Sequence, residues 1–281
     1  MEIINAHVHM VEVKKIARNS TINSLKGTSV FKELKTMIPT LFSRTLTKQM
    51  DEAGISKSVL YALYCPIIYS SNKYVAKLCK KDEKRRIGFA SVDLNLERPA
   101  DILEKEIKEY SMKGVKFHPP LQNFYPNDKK MYPIYELLVS LHLPVVFHIG
   151  TTPFGHLVKL DQANPLLIDD IANDFPKLKI MLTHLGTLWH NEAFMIVEKH
   201  PNVYIDTAAY LYEIPEILNE NLIKRVGEEK FIFGTDYPTP FGSTPHRMKD
   251  FVDCIHSLNI STKMKENIFA KNFYKLLNDK P

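Results

Sequence analysis

The sequence predicts an α/β fold of the closed (β/α)8 kind, the TIM-barrel architecture, and three observations predict it. Short apolar runs of strand length recur eight times along the 281 residues, helix-like stretches lie between them, and no Gly-x-Gly-x-x-Gly turn follows the first run. Strand and helix in alternation read as a parallel sheet with helices outside it. Eight repeats in about 250 residues suit a closed ring. A doubly wound open sheet would leave two edges, and its phosphate-binding turn is missing here.

The first run is IINAHVH (3–9), followed by KSVLYALY (57–64), RIGFASVDL (86–94), GVKFHP (114–119), PVVFHIG (144–150), KIMLTHLG (179–186), NVYIDTAA (202–209) and FIFGTDYP (231–238). Each is rich in Val, Ile, Phe or Tyr, residues that suit a pleated, buried surface. Helices are expected over 45–53, 99–113, 128–141, 165–175, 189–199 and 214–226, three of them closed by Gly54, Gly114 and Gly227. In 99–113, Ile102, Leu103, Ile107 and Tyr110 recur at three- and four-residue spacing, and Pro99 suits a first turn. Over 262–277 a stripe of Met264, Ile268, Phe269, Phe273, Leu276 and Leu277 is expected to form the closing helix. Two connections are too long for plain βα loops. Residues 10–44, a long loop after strand one, should cross the barrel mouth as a lid with a short helix, and residues 151–164 carry His156. No repeat appears beyond the alternation, so 1–281 reads as one domain.

Composition narrows the function classes. The 37 Lys and Arg are interspersed with 32 Asp and Glu for a net charge of +5, so nothing demands nucleic acid. A mild positive field favours a small anionic substrate. Cys65, Cys79 and Cys254 are odd in number and never form a Cys-x-x-Cys pair, against both a disulfide framework and a cysteine metal site. They read as reduced residues of a cytoplasmic protein. Glu2 and Asn5 interrupt the first run, and no later run approaches the ~18 apolar residues of a membrane span. A homo-oligomer is left open.

In such barrels the reacting groups project from the C-terminal ends of the strands, where the βα loops leave a pocket. His7 and His9 end strand one, Lys116 and His118 lie near the end of strand four, and His148, His184 and Asp236 end strands five, six and eight. His7 and His9 are two apart on a strand and so share a side. A carboxylate or charged group at such a buried position needs a counter-charge or a metal. Three histidines and one carboxylate from strands one, five and eight would give a divalent ion a shell with room for water.

HVH at strand one, His at the ends of strands five and six, GTDYP at strand eight and the terminal IFAKNFYKLL resemble the amidohydrolase superfamily, specifically its amidohydrolase-2 branch of small metal-dependent hydrolases and decarboxylases. The resemblance covers nearly the whole chain. It implies that His7, His9, His148 and Asp236 are metal ligands, with Asp236 also catalytic. His184 would be a catalytic acid/base or an additional ligand. The implied cofactor is one divalent ion per chain, zinc preferred; a second ion bridged by a carboxylated Lys116 is the less favoured option, and Lys116 as a substrate-binding ammonium is preferred to it.

A zinc-like ion lowers the pKa of its bound water to ~7 and polarises a substrate oxygen. The leading expectation is therefore a metal-dependent hydrolase of a small organic substrate using a metal-activated water. The alternative is a non-oxidative decarboxylase of an aromatic or semialdehyde acid; His-x-His occurs in both groups. A non-catalytic ligand-binding barrel is weakest, because no ligand position is missing. His118 could line the pocket or simply end its strand. Arg18 and Arg44, in or beside the lid segment, are candidates to clamp an anionic substrate. Trp189 and His190 follow the strand-six loop and are weighed against simple helix packing. His142, His200 and His256 default to helix ends, and His156 and His246 lie on mouth-side loops.

Overall fold

The structure, a computed structural model, describes residues 1–12, 38–65, 68–152, 154, 157–238 and 247–278. Among the described residues, eight parallel strands line the barrel: β1 (Ile4–His9), β2 (Lys57–Tyr61), β3 (Arg86–Phe89), β4 (Val115–Phe117), β5 (Val145–Phe147), β6 (Ile180–Leu182), β7 (Val203–Asp206) and β8 (Phe231–Ile232). β1, β2 and β3 form one parallel ladder and β4 to β8 another. Two narrow seams join them into a ring. At one, Ala90 bridges Val115, with Ala90 N–H donating to Gly114 O at 2.8 Å and Lys116 N–H to Ala90 O at 2.7 Å. At the other, Val8 bridges Tyr237, and Ala6 and His9 donate to Phe233 O and Tyr237 O at 2.9 and 2.7 Å.

The inside of the ring is packed. Ile4, Ala6, Val59, Tyr61, Phe89, Val146, Met181, Tyr204 and Ile232, contributed by seven of the eight strands, form one buried cluster with Ala270, Phe273, Tyr274 and Leu276 of the C-terminal segment. That segment stoppers the end opposite the mouth, where Lys57 Nζ and Tyr274 Oη lie 2.6 Å apart and Tyr274 reaches Glu2 at 2.9 Å. Outward residues such as Val8, Leu60, Val115, Phe117 and Phe147 belong to a larger core between strands and helices.

β1 does not alternate regularly. Ile4 and Ala6 face inward and Val8 outward, yet the pairing of β1 with β2 shifts register between Asn5 and Val8. Such a bulge re-aims side chains. Here it brings His7 and His9 inward beyond Ala6, and the Ala6 carbonyl at the irregularity accepts the Tyr61 hydroxyl. Simple alternation would have put Ile3 and Asn5 on the histidine face. Instead Asn5 staples β1 to the β8 end: its Oδ1 accepts from Thr235 N at 3.1 Å and its Nδ2 donates to Thr235 Oγ1 at 2.8 Å.

The expected helices appear as α1 (Ser43–Glu52), α3 (Pro99–Tyr110), α5 (Tyr132–Ser140), α6 (Leu167–Asp174) and α7 (His190–Lys199), with α2 (Asn72–Cys79) and the short α4 (Pro119–Gln122) added. Two expected helices are broken. The 214–226 stretch divides into α8 (Glu213–Ile217) and α9 (Glu220–Val226), because Asn219 caps the second by accepting from Leu222 N. After α10 (Met248–Ser257), the closing stretch runs as α11 (Thr262–Glu266), a wider π turn (Asn267–Lys271) and α12 (Asn272–Leu277). Ile268 O in that turn accepts Phe233 N–H at 2.8 Å, so it ties the closing segment to the end of β8. The end of the 57–64 run peels off into a hairpin, Leu63–Tyr64 against Tyr69–Ser70. Most of the expected lid, with Arg18, and both His156 and His246 lie outside the described residues.

Candidate active site at the barrel mouth

The strand ends converge on a buried cluster of titratable groups. His7 Nε2 lies 3.1 Å from His9 Nε2 and 3.1 Å from Asp236 Oδ1, and His9 Nε2 lies 3.3 Å from the same oxygen. His7 Nδ1 meets Asp206 Oδ2 at 2.7 Å, both side chains being fully buried. Asp206 Oδ1 accepts the backbone N–H of His184 at 2.7 Å and of Ala208 at 3.0 Å. His184 Nδ1 meets Ala208 O at 2.9 Å, and its Nε2 lies 3.0 Å from His148 Nδ1. His148 stacks on His118, ring centroids 3.7 Å apart and nearly parallel.

Local backbone explains how the chain delivers these groups. Asp236 and His184 both hold left-handed conformations, φ +51° and +63°, uncommon for non-glycine residues and typical of functional sites. At Gly234 a Cβ would stand 3.0 Å from His7 Cβ and 3.2 Å from Ala208 Cβ, so a side chain here would push on His7 or Ala208, and glycine lets β8 pass close to the cluster without that displacement. Gly150, φ +92°, similarly lets the turn after His148 approach Thr187 O, which a Cβ would meet at 2.7 Å.

Charge is distributed unevenly over the cluster. Burial alone would raise the Asp236 carboxyl, but His7 and His9 outweigh it and hold it well below the usual range. Asp206 is lowered by His7 and His184 against the same burial. Burial would lower His7, yet Asp206 and Asp236 raise it. His9 is pushed down to about 4 by burial, in spite of Asp236. His148 and His118 fall well below the ordinary histidine value, first through burial and then through cationic neighbours. Lys116, fully buried, is lowered to about 8 by burial against the pull of Asp206 and Asp236. Its Nζ has no hydrogen-bond partner among the described residues and lies 5.3 Å from the Tyr61 ring centroid.

The donor set fits a divalent cation. With His7 Nδ1–H spent on Asp206, the remaining His7 Nε2, His9 Nε2 and Asp236 Oδ1 are three electron-rich atoms within 3.3 Å of one another. Ligands at about 2.0–2.1 Å from a tetrahedral ion stand about 3.3 Å apart. Such a cluster needs either a hydrogen on one of the two histidine Nε2 atoms or a metal. The buried Nε2 of His148 also lacks a partner among the described residues.

The structure therefore brings His7, His9 and Asp236 into one group, and His7, His184 and Asp206 into a second, overlapping one. His148 belongs to neither and joins through His184. His118 caps α4, its Nδ1 accepting Leu121 N–H at 3.3 Å. Arg44 is exposed on the first turn of α1 and touches none of these groups. His190 is held to the His184 turn, Nδ1 to Leu185 O at 2.7 Å, while His200 pairs with Asp169 far from the mouth. Asp206 and Tyr61 were not anticipated. Asp206 was visible by the rule that singled out Asp236, a carboxylate ending an apolar strand.

No curated protein matches the chain. Among solved structures, an uncharacterised TIM-barrel protein from Bordetella bronchiseptica superimposes with a TM-score of 0.77 at 21% identity, covering 99% of both chains. A 2,6-dihydroxybenzoate decarboxylase from Rhizobium does so with 0.72 at 17%, again over 99% of both. A 5-carboxyvanillate decarboxylase from Novosphingobium aromaticivorans, with bound manganese, gives 0.73 at 17% over 99% of this chain and 97% of that one. These likenesses establish the TIM-barrel fold. A sequence model of the family described as Amidohydrolase (Amidohydro_2) matches residues 47–278, most of the chain, and the protein is accordingly a member of that family.

Proposed function

We propose that this chain is a divalent-metal-dependent hydrolase of a small, carboxylate-bearing substrate. The observation that carries the substrate class is Lys116: a fully buried ammonium at the strand-four end, without a hydrogen-bond partner among the described residues. A buried ammonium whose hydrogens have no acceptor is costly even with Asp206 and Asp236 nearby, and a substrate carboxylate would offset that cost. The supports for a metal are the spacing of His7, His9 and Asp236 and the membership of the family. The nitrogen-rich set favours zinc, and manganese is the ion named for one structural neighbour.

When bound, the ion would supply Lewis acidity at the substrate oxygen and lower the pKa of water. The chain's own residues do the rest. His7, His9 and Asp236 hold the ion, with His148 as the fourth candidate ligand. Lys116 fixes the substrate carboxylate and with it the distance of the scissile bond from Asp236. The ionised Asp236 carboxylate accepts a proton from the attacking water and returns it to the leaving oxygen or nitrogen. The acyl carbon gains the water oxygen and loses that leaving atom, so atoms and charge balance.

Decarboxylation is the second reading, favoured by the whole-chain likeness to two aromatic-acid decarboxylases. Against it stands Lys116, since an ammonium paired with a carboxylate stabilises the charge that must be discharged as CO2. The two separate in one assay of metal-loaded protein: carboxylate-bearing lactones, esters and amides followed for acid release, and hydroxybenzoates followed for CO2. Acid release, with KM raised in Lys116→Met, is the expected result. CO2 release without hydrolysis overturns it.

A further inference from the structure

A second concavity opens on the mouth side of the barrel, and none of His7, His9, His148, His184 or Asp236 lines it. Where the 57–64 run peels off its strand, Tyr64 pairs directly opposite Tyr69 in the short hairpin. Cross-strand partners share a face. Both rings line one cavity of about 330 Å3, bounded on its other sides by the loop after β3 and the end of α4. The rings stand edge to face, centroids 5.3 Å apart at 75°. The lining carries one carboxylate, Asp93, and no cationic side chain. Asp93 is held in place, its Oδ1 accepting the backbone N–H and the side-chain amide of Asn95, both at 3.0 Å. Gln122 is spent at both ends: Nε2 donates to Val92 O at 3.1 Å and Oε1 accepts His118 N–H at 2.8 Å. Tyr64 gives its hydroxyl to Glu106 Oε2 at 3.4 Å. The charges that act on the Tyr69 phenol are Glu12, Glu106 and Asp93, all of one sign, and together with burial, the larger cause, they raise it above its ordinary value. Glu12 and Glu106 accept from neutral groups, Ser71 and Asn72, which do not cancel their charge.

We propose that the cavity of Tyr64, Tyr69 and Asp93 binds a small organic ammonium ion, its charge against the Asp93 carboxylate and its alkyl groups on the tyrosine rings. Aromatic faces under a negative field attract a cation and repel an anion, and a cavity of this size suits a small ligand. A bare calcium or magnesium ion is a poor fit, because one lining carboxylate supplies too few oxygens for either. The site goes beyond the proposed hydrolase reading and stands whether or not the histidine cluster holds a metal.

The test is a titration of protein carrying 13C-labelled leucine methyls with choline, with butylammonium, and with the uncharged alcohol in which carbon replaces the choline nitrogen. Leu94 and Leu121 line the cavity. Their methyl signals, assigned from Leu94→Met and Leu121→Met, should shift saturably with an ammonium and stay still with the alcohol. Asp93→Asn should weaken ammonium binding about fivefold, and Tyr69→Leu about two- to fivefold. No saturable shift at either methyl with both ammonium ions, equal binding of the alcohol, or unchanged affinity in Asp93→Asn overturns the proposal. If a variant does not fold, the comparison of ammonium with alcohol on the wild-type chain still decides.

Discussion

His7 Nδ1 and Asp206 Oδ2 meet at 2.7 Å with both side chains fully buried, joining the first strand of the barrel to the seventh across its mouth. The pair has a consequence for the free ring nitrogen: as long as Asp206 takes the Nδ1 hydrogen, His7 Nε2 faces His9 and Asp236 as a donor atom for a cation.

Asp206→Asn should therefore damage ion binding without a change of shape. The amide can place a carbonyl toward His184 and Ala208 N–H only by turning its NH2 toward His7, which favours the wrong His7 tautomer. Affinity for zinc or manganese is expected to fall about 10–100-fold, as measured by chelator competition. A change of less than about twofold in that assay would show that Asp206 does not orient His7.

Lys116→Met should trade binding for stability. A pKa lowered from 10.5 to about 8 means that the charged amine destabilises the folded state at neutral pH, by up to about 3 kcal/mol. Removing the charge while keeping an unbranched apolar stem should raise the urea midpoint and weaken a carboxylate-bearing substrate. A lower midpoint would show that the ammonium is compensated in the native fold.

Acid should destabilise the metal-free protein well before its carboxylates protonate. His9 (about 4), His148 and His118 all have folded pKa values below the ~6.5 of an unfolded histidine. Between the two values the unfolded chain binds more protons, so the stability these groups contribute is complete above ~6.5 and is lost as pH falls toward 4. His7, raised by its acidic neighbours, has the opposite sign: its contribution is present below ~6.5 and lost as pH rises through the folded value. His184, also lowered by burial, adds to these three, so four groups against one predict a net fall in Tm from pH 7 to pH 4.5. A Tm that is flat or rises over that interval contradicts the neutral, buried assignment of the four.

Much of this arrangement is written in local pattern. The eight strands are legible because apolar, β-branched and aromatic residues cluster at strand length, and the polar residues that end the runs are out of place by the same measure. The sidedness of β1 was only half legible: His7 and His9 do face one way, but the bulge that separates their face from that of Asn5 depends on the pairing with β2 and on Tyr61 reaching Ala6 O. α2 escaped the apolar pattern, although Ser71, which accepts from Tyr74 N, is an ordinary helix-capping signal. α10 was likewise not singled out. The π turn at Asn267–Lys271 could not be read at all, since it answers to a tertiary contact, Phe233 N to Ile268 O. Asp206 needed no new rule, only the rule for Asp236 applied to strand seven. The His184–His148 contact is different in kind, because spacing in sequence says nothing of which ring nitrogens meet.

The proposed cation site of His7, His9 and Asp236 is open to a measurement of metal content. Purified protein, stripped and reloaded with zinc or manganese and then desalted, should retain about one ion per chain, whereas His9→Ala and Asp236→Ala should retain almost none while still folded by circular dichroism. Full retention in both variants, or no retention by the wild-type chain, would show that these three residues do not hold an ion.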